Sequence, residues 1–285
     1  MVNDTDFSDA ALVVLGHGTT LNDQSAAPAL QHVAELGRRR LFQSVHAAFW
    51  KQEPRVQKVL AELSVPRVFI VPLFISEGYF STEIIPRELG FQYPDRLMLT
   101  VPSGRLWYCH PVGSHPDMTS VILARAAEVV KKYPFPRAPK PGETTLFIAG
   151  HGTGRNKMSR QAIERQVDLI RSRNLYAGVH SIFMEEDPRI ADCYTMAHTK
   201  NLVVVPFFIS DGLHAVEDIP VLLGEPERQV KERLAAGQPT WRNPTEKHGK
   251  LVWYSSSVGS EPLLADVILQ RANEAARTTV VDAAV

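Results

Sequence analysis

Short runs of branched hydrophobic residues alternate along this chain with longer segments in which hydrophobic residues recur at helical spacing. In the first half, the strands predicted from this pattern lie at 12–15, 45–49, 68–71 and 97–101. The helices predicted between and after them lie at 24–40, 54–63, from 81, and at 114–132. Alternating strands and helices are typical of βαβ units, in which helices cover both faces of a parallel sheet. The pattern therefore predicts an α/β fold.

The same pattern occurs a second time further along the chain. When the sequence is shifted by 134 residues, Gly16 to Thr19 aligns with Gly150 to Thr153. In the same register, Val71 to Gly78 aligns with Val205 to Gly212. Similarity that persists at one fixed offset is the signature of an internal repeat. The chain is therefore interpreted as two homologous modules.

The repeat divides the chain into modules at residues 1–132 and 144–285, joined by a linker at 133–143. The linker is rich in proline, which favours extended backbone and makes it semi-rigid. Each module is expected to be a doubly wound, parallel-sheet domain with the flavodoxin-like strand order 2-1-3-4, and a cleft is expected between the two. Ligands of such sheets bind beyond the carboxyl ends of the strands, so functional residues are sought there.

Composition excludes several classes of protein. Among 285 residues, 31 are basic and 31 acidic, so the broad positive surface of a nucleic-acid-binding or membrane-surface protein is not expected. The polar, acidic start lacks the features of a signal peptide and the apolar runs are too short to span a membrane, which predicts a cytoplasmic protein. Cys109 and Cys193 are too few for an iron–sulfur cluster or a zinc knuckle within one chain.

Three side chains that bind metals or accept protons follow successive predicted strands of the second module. His151 follows the strand ending at Ala149, Glu185 follows the next, and His214 comes shortly after the third. The predicted strand order would bring all three to one edge of the sheet. Two imidazoles and a carboxylate suit borderline divalent ions such as Co²⁺, Fe²⁺, Ni²⁺ or Zn²⁺, and they also accept protons.

Two motifs around these residues resemble a known family. The strand-terminal His151-Gly152-Thr153 and the segment from Val205 to Pro220 are similar to those of the class II tetrapyrrole chelatases, in particular the sirohydrochlorin cobaltochelatases and ferrochelatases of the CbiX and SirB types. The resemblance covers nearly the whole chain as two tandem modules. It implies an ATP-independent lyase that inserts Co²⁺, Fe²⁺ or Ni²⁺, as a substrate, into sirohydrochlorin or a related tetrapyrrole, in cobalamin or siroheme biosynthesis.

The resemblance also implies roles for individual residues. His151 would be the main base and metal contact, His214 the second metal ligand and Glu185 a proton acceptor or metal guide. Exchange of the roles of the two histidines fits the sequence equally well. The residues expected to contact the substrate around this site are Gly152, Thr153, Arg155, Asn156, Ser210, Asp211 and Leu213.

The first module departs from this motif at two of the three positions. His17 aligns with His151, but Lys51 aligns with Glu185 and Phe80 with His214. An ammonium group and a phenyl ring cannot replace a carboxylate and an imidazole as metal ligands. A single working site is therefore predicted, in the second module. Lys51 is left with a possible role in attracting a substrate carboxylate.

Two acidic residues that follow His214 are interpreted as structural. Glu217 and Asp218 lie in the first turn of a predicted short helix, where carboxylates commonly interact with the helix dipole. Glu217 also aligns with Glu83 of the first module, which favours that structural interpretation.

Two other functions remain open. The chain could be a tetrapyrrole or metal carrier descended from a chelatase, or a domain that binds phosphate through the segment from Gly152 to Arg155. No nucleotide is expected, because the sequence lacks a G-x-x-x-x-G-K-[ST] motif. The expected partner is a sirohydrochlorin-like tetrapyrrole, with neither nucleic acid nor membrane. Two fused modules could supply by themselves a cleft that a single module must form by dimerising, which favours a monomer.

Overall fold

The computed structural model describes residues 5–19, 25–152 and 157–282. It divides the chain into two compact units. Unit 1 comprises Met1–His115 and Pro262–Val285, and unit 2 comprises Pro116–Glu261. Within the described ranges, no helix has the length and apolar character needed to cross a bilayer.

Both units are built from short strands and helices in alternation. The strands are β1 (Ala10–Gly16), β2 (Ser44–Phe49), β3 (Arg67–Pro72), β4 (Met98–Val101), β5 (Gly104–Tyr108), β6 (Thr144–Gly150), β7 (Gly178–Phe183), β8 (Asn201–Pro206), β9 (Thr245–Lys247) and β10 (Lys250–Tyr254). The helices are α1 (Ala27–Arg39), α2 (Val56–Glu62), α3 (Ile85–Glu88), α4 (Met118–Lys132), α5 (Lys157–Arg171), α6 (Cys193–Met196), α7 (Ile219–Leu222), α8 (Glu227–Ala235) and α9 (Leu264–Asp282). Single π-helical turns at Phe80–Ile84 and His214–Asp218 lead directly into α3 and α7.

Each unit contains one five-stranded sheet, with the order β2-β1-β3-β5-β4 in unit 1 and β7-β6-β8-β10-β9 in unit 2. All neighbouring strands are parallel except β4 and β9, which pair antiparallel to β5 and β10. The predicted fold class is confirmed, since both units are dominated by parallel strands. An antiparallel edge strand is a common addition to such sheets.

The prediction for the fourth strand was wrong in its position. The segment predicted at 97–101 forms β4 at the edge of the sheet, and β5 takes the place beside β3. The signal for β5 was its first residue: Gly104 has φ +147°, and a Cβ there would lie 2.1 Å from the Pro66 carbonyl oxygen. A glycine in a strand often marks such a close backbone approach, but the whole strand, glycine included, is only five residues long.

The central strands place the candidate residues at one edge of unit 2. Every residue of β6 is buried, because β7 and β8 pair with its two edges and helix α5 packs against it. In the parallel register, Gly150 lies opposite Phe183 and Ala149 lies opposite Pro206. The segments that follow these three strands therefore emerge together at the carboxyl edge of the sheet, where ligands of open α/β sheets bind.

The compact units are composed differently from the repeated modules. Helix α4, from the first repeat, belongs to unit 2, where Arg125 Nε donates to the Ser257 carbonyl oxygen at 3.0 Å. Helix α9, from the second repeat, belongs to unit 1, where Arg271 Nε donates to the Pro111 carbonyl oxygen at 3.0 Å. The module boundaries and the linker at 133–143 thus remain predictions from the repeat, and each sheet is covered by the other repeat's last helix.

Candidate active site

His151 lies in a tight backbone connection immediately after β6. Its carbonyl oxygen accepts the N–H groups of Met184 and Glu185 at 3.1 and 3.0 Å, which ties the end of β7 to the histidine. The next residue, Gly152, has φ +67°, and a Cβ there would lie 2.9 Å from the Phe183 Cβ. Only glycine fits this conformation and spacing without strain. The backbone therefore fixes where the imidazole leaves the sheet.

His214 lies at the first position of the π-helical turn His214–Asp218. The buried Tyr254 hydroxyl donates to the Ala215 carbonyl oxygen at 2.6 Å and so supports this turn from within unit 2. The segment before the turn packs tightly as well, since a Cβ at Gly259 would lie 1.7 Å from the Ile209 carbonyl oxygen. Single π turns inside helices often occur at functional sites.

The structure brings the two predicted histidines together. The imidazole rings of His151 and His214 have centroids 4.9 Å apart and planes inclined by 80°. His151 Nδ1 lies 2.8 Å from the Gly152 carbonyl oxygen, and His214 Nδ1 lies 2.7 Å from Asp218 Oδ2. Because a carbonyl or an ionised carboxylate only accepts, both Nδ1 atoms donate. Each imidazole therefore keeps its Nε2 lone pair for a metal or a proton.

Glu185 is the carboxylate that lies beside this pair. Its Oε1 is 3.7 Å from His151 Nε2, and its side chain is 60% exposed. The neighbouring Glu186 instead pairs with Arg160, whose Nη1 lies 3.3 Å from Glu186 Oε2. Of the two adjacent carboxylates, Glu185 is therefore the one placed to exchange protons between the imidazole and water.

The arrangement can contact a metal ion without enclosing it. In the described portion of the chain, no three His, Cys, Asp or Glu side chains converge well enough to hold a metal ion by themselves. The two Nε2 atoms suit a borderline divalent ion at the usual distance of about 2 Å. The side chains of His151 and His214 are 36% and 50% exposed. An ion held by two exposed imidazoles keeps its other coordination positions available to a second ligand.

The other predicted site residues have different surroundings. Leu213 is 60% exposed beside His214. Asp211 Oδ1 accepts the Ser257 N–H at 2.7 Å, and the Ser210 carbonyl accepts from the Ser257 hydroxyl at 3.3 Å, so both brace the loop after β8. Three further residues predicted to contact the substrate lie outside the described residues, namely Thr153, Arg155 and Asn156.

Sequence reasoning missed Asp218, which directly contacts one of the two histidines. Its position in a first turn favours an interaction with the helix dipole instead. The signal that could have identified it is in the repeat: Ile84 occupies the equivalent position in the first module, where Phe80 replaces His214. An acid lost together with a histidine four residues away suggests a pair that acts together.

Comparison with known proteins identifies the family of the chain. The sequence matches the CbiX family over residues 11–129 and again over 145–275. The chain belongs to the CbiX family. A probable sirohydrochlorin cobaltochelatase of Halobacterium salinarum is 39% identical over 93% of this chain and 91% of its own length. A sirohydrochlorin cobaltochelatase of Methanopyrus kandleri is 29% identical over 46% of this chain and 95% of its own length, as expected for a match to one module.

Solved structures share the CbiX fold. A multi-domain protein of Deinococcus radiodurans, described as structurally similar to chelatases, matches with a TM-score of 0.75 and 27% identity, over 94% of this chain and 55% of the longer protein. SirB from Bacillus subtilis with Fe³⁺ matches with a TM-score of 0.66 and 16% identity, over 95% of this chain and 97% of its own. The family resemblance and the fold predicted from the sequence are both confirmed.

Proposed function

We propose that this chain inserts Co²⁺ into sirohydrochlorin or a closely related tetrapyrrole, and that Fe²⁺ is an alternative metal substrate. The observation that carries the proposal is the pair of imidazoles whose centroids lie 4.9 Å apart at the carboxyl edge of the unit 2 sheet, with Glu185 beside them. The 39% identity to a probable sirohydrochlorin cobaltochelatase over nearly the full length supports the choice of substrate and of cobalt.

The chemistry requires two protons to leave as one divalent ion enters. His151 and His214 hold the incoming ion through Nε2, because their Nδ1 atoms are engaged with Gly152 and Asp218. As two pyrrole N–H bonds break and metal–pyrrole bonds form, the ion leaves the imidazoles and their Nε2 atoms become free to take up the protons. The charge of the macrocycle falls by two as the ion brings two positive charges, so the step is balanced.

Glu185 completes the path of the protons to solvent. Its carboxylate lies 3.7 Å from His151 Nε2 and is largely exposed, so it can accept a proton from the imidazole and release it to water. This assignment makes His151 the main base and His214 the second metal ligand. The exposed Leu213 side chain would contact the apolar face of the macrocycle. We also propose that the enzyme acts as a monomer and uses neither a nucleotide nor an iron–sulfur cluster.

The test is metal insertion by the purified full chain in the absence of nucleotide. With sirohydrochlorin and Co²⁺, the visible spectrum of the macrocycle should change faster than in a matched reaction without protein. Fe²⁺ and Ni²⁺ are assayed in parallel, anaerobically where the ion requires it. If none of the three ions is inserted faster than in the protein-free control, the enzyme assignment is wrong.

A binding titration, read together with the insertion assay, distinguishes a chelatase from a carrier. Titration of the protein with sirohydrochlorin alone, followed by fluorescence or difference absorption, measures binding without chemistry. Binding with no acceleration by any metal would identify a tetrapyrrole carrier that has kept the site but lost turnover. Acceleration that disappears in Glu185→Gln, with sirohydrochlorin affinity unchanged, would support the proposed path of the protons.

A further inference from the structure

A hydrogen bond joins His214 to Asp218, the fourth residue after it. The two residues open and close the same π-helical turn, and His214 Nδ1 lies 2.7 Å from Asp218 Oδ2. Both side chains are about half exposed, at 50% and 43%. An exposed ion pair of this type adds little to stability. The main effect of the hydrogen bond is therefore to orient the His214 imidazole and to select its tautomer.

The carboxylate decides which nitrogen of His214 carries the proton. An ionised Asp218 can only accept, so it stabilises the tautomer with the proton on Nδ1. This tautomer has its lone pair on Nε2, on the opposite side of the ring. The arrangement of carboxylate, imidazole and metal is a common one, in which the outer carboxylate orients the ligand and raises its basicity.

Unit 1 provides an internal control for the alternative that Asp218 merely shapes the turn. The equivalent turn, Phe80–Ile84, is also π-helical although Ile84 takes the place of Asp218. It is supported in the same way, because the Tyr108 hydroxyl donates to the Ser81 carbonyl oxygen at 2.8 Å. The turn therefore forms without this carboxylate.

The neighbouring Glu217 shows the opposite behaviour. It aligns with Glu83, so a carboxylate is present at this position in both repeats whether or not a histidine precedes it. In unit 2, Glu217 Oε1 lies 3.9 Å from Lys231 Nζ, and the Glu217 side chain is 23% exposed. Glu217 thus has the pattern of a structural residue, and Asp218 has the pattern of a residue tied to His214.

We infer that Asp218 is a positioning residue that holds His214 in the Nδ1-protonated tautomer, so that Nε2 binds the incoming metal together with His151. The inference rests on the proposed function for the identity of the metal substrate. It extends the site from three residues to four and assigns to Asp218 no direct contact with the tetrapyrrole.

The experiment compares Asp218→Ala with the conservative Asp218→Glu and the neighbouring control Glu217→Ala in the full-length protein. Co²⁺ binding without tetrapyrrole is measured by calorimetry. We expect Asp218→Ala to weaken it by about 10- to 100-fold, the usual effect of removing an outer carboxylate from a ligand histidine. Asp218→Glu should recover part of the loss, and Glu217→Ala should bind Co²⁺ as the wild type does.

Two further readouts distinguish positioning from a general structural defect. Nitrogen-15 NMR of the His214 ring should show the Nδ1-protonated tautomer in the wild type and a mixture in Asp218→Ala. The KM for sirohydrochlorin should stay near the wild-type value while kcat falls. Thermal unfolding identifies any variant that fails to fold, in which case Asp218→Leu, which has a similar size and no hydrogen-bond acceptor in its side chain, replaces Asp218→Ala.

Wild-type Co²⁺ affinity in a folded Asp218→Ala variant, or an unchanged His214 tautomer, would overturn the inference. Failure of this inference can be distinguished from failure of the proposed function. If the wild type inserts no metal but Asp218→Ala still weakens Co²⁺ binding, the positioning role stands and the chelatase assignment fails. If the wild type is an active chelatase and Asp218→Ala retains full Co²⁺ affinity, only the positioning role fails.

Discussion

The two units carry equivalent sites on nearly the same backbone. We call them the His151 site (His151, Glu185 and His214) and the His17 site (His17, Lys51 and Phe80). The His151 carbonyl accepts the Glu185 N–H at 3.0 Å, and the His17 carbonyl accepts the Lys51 N–H at 2.8 Å. The scaffold that positions the three side chains has therefore been kept in both repeats.

The side chains of the two sites differ in charge and in their ability to bind a metal ion. In the His17 site the Phe80 ring lies 5.0 Å from the His17 ring, where His214 lies in the other site. The Lys51 ammonium lies 5.1 Å from the centre of the Phe80 ring, in a cation–π contact. An aromatic ring and a fixed positive charge exclude a second cation. The backbone connection is therefore kept in both repeats although two of the three side chains differ, and we expect the proposed chemistry to depend on those side chains.

Removal of equivalent side chains from the two sites tests whether only one of them works. His214→Ala should lower the rate of Co²⁺ insertion by about 100-fold or more, because it removes a metal ligand and a proton acceptor. Phe80→Ala should change the rate far less, since no ligand is lost. Initial rates with sirohydrochlorin measure both effects, and His151→Ala with His17→Ala provides a second matched pair. Equal losses in the two units would contradict a single working site.

Substitutions in unit 1 test whether its backbone can hold a second metal site. The triple variant Lys51→Glu, Phe80→His and Ile84→Asp places the four side chains of unit 2 on the scaffold of unit 1. If the backbones are equivalent, Co²⁺ binding should rise from about one to about two ions per chain, because two imidazoles and carboxylates suit that ion. Calorimetry or elemental analysis measures the stoichiometry. A folded triple variant that still binds a single ion would show that other features of unit 2 are required.

Glycine substitutions test the shared scaffold with a smaller effect. Gly18 and Gly152 have φ +69° and +67°, and a Cβ would lie 2.7 Å from Gln52 Cβ or 2.6 Å from Glu186 Cγ. Alanine at either position should cost about 1 to 3 kcal/mol of unfolding free energy, the usual range for strained backbone. Urea unfolding measures this cost. Only Gly152→Ala should also reduce chelatase activity, so a comparable loss in Gly18→Ala would mean that both sites work.

Much of this architecture could be predicted from the sequence, because hydrophobic periodicity and the repeat both report on local packing. The central strand, predicted to end at Ala149 and ending in the structure at Gly150, and the proximity of His151 to His214 both follow from the strand order. The exchange of α4 and α9 between the compact units could not be predicted. Arg125 and Arg271 are equivalent in the repeat and make equivalent hydrogen bonds. Either helix therefore suits either sheet, and sequence similarity does not distinguish the two packings.

The contact of Asp218 with His214 was not predicted from the sequence for a different reason. A carboxylate in a first turn commonly interacts with the helix dipole, so position along the chain favours that interpretation. In the structure the Asp218 carboxylate contacts the His214 ring four residues before it, a spacing at which side chains on one helix are neighbours. The spacing alone does not separate this contact from a role at the helix dipole, whereas the joint replacement of the pair by Phe80 and Ile84 in the first repeat does.

The smallest effect concerns the protonation of His17. Burial lowers the pKa of His17 below its ordinary value of 6.5, the hydrogen bond to the Gly18 carbonyl opposes this, and the Lys51 charge lowers the pKa further. Between the lowered pKa and 6.5, the unfolded chain binds a proton that the folded chain does not, so this contribution reduces stability as the pH falls. The urea midpoint of the wild type should therefore decrease more than that of His17→Gln between pH 7.5 and 5.5. In NMR titrations, Lys51→Gln should raise the pKa of His17, and an unchanged pKa would mean that Lys51 does not influence the site.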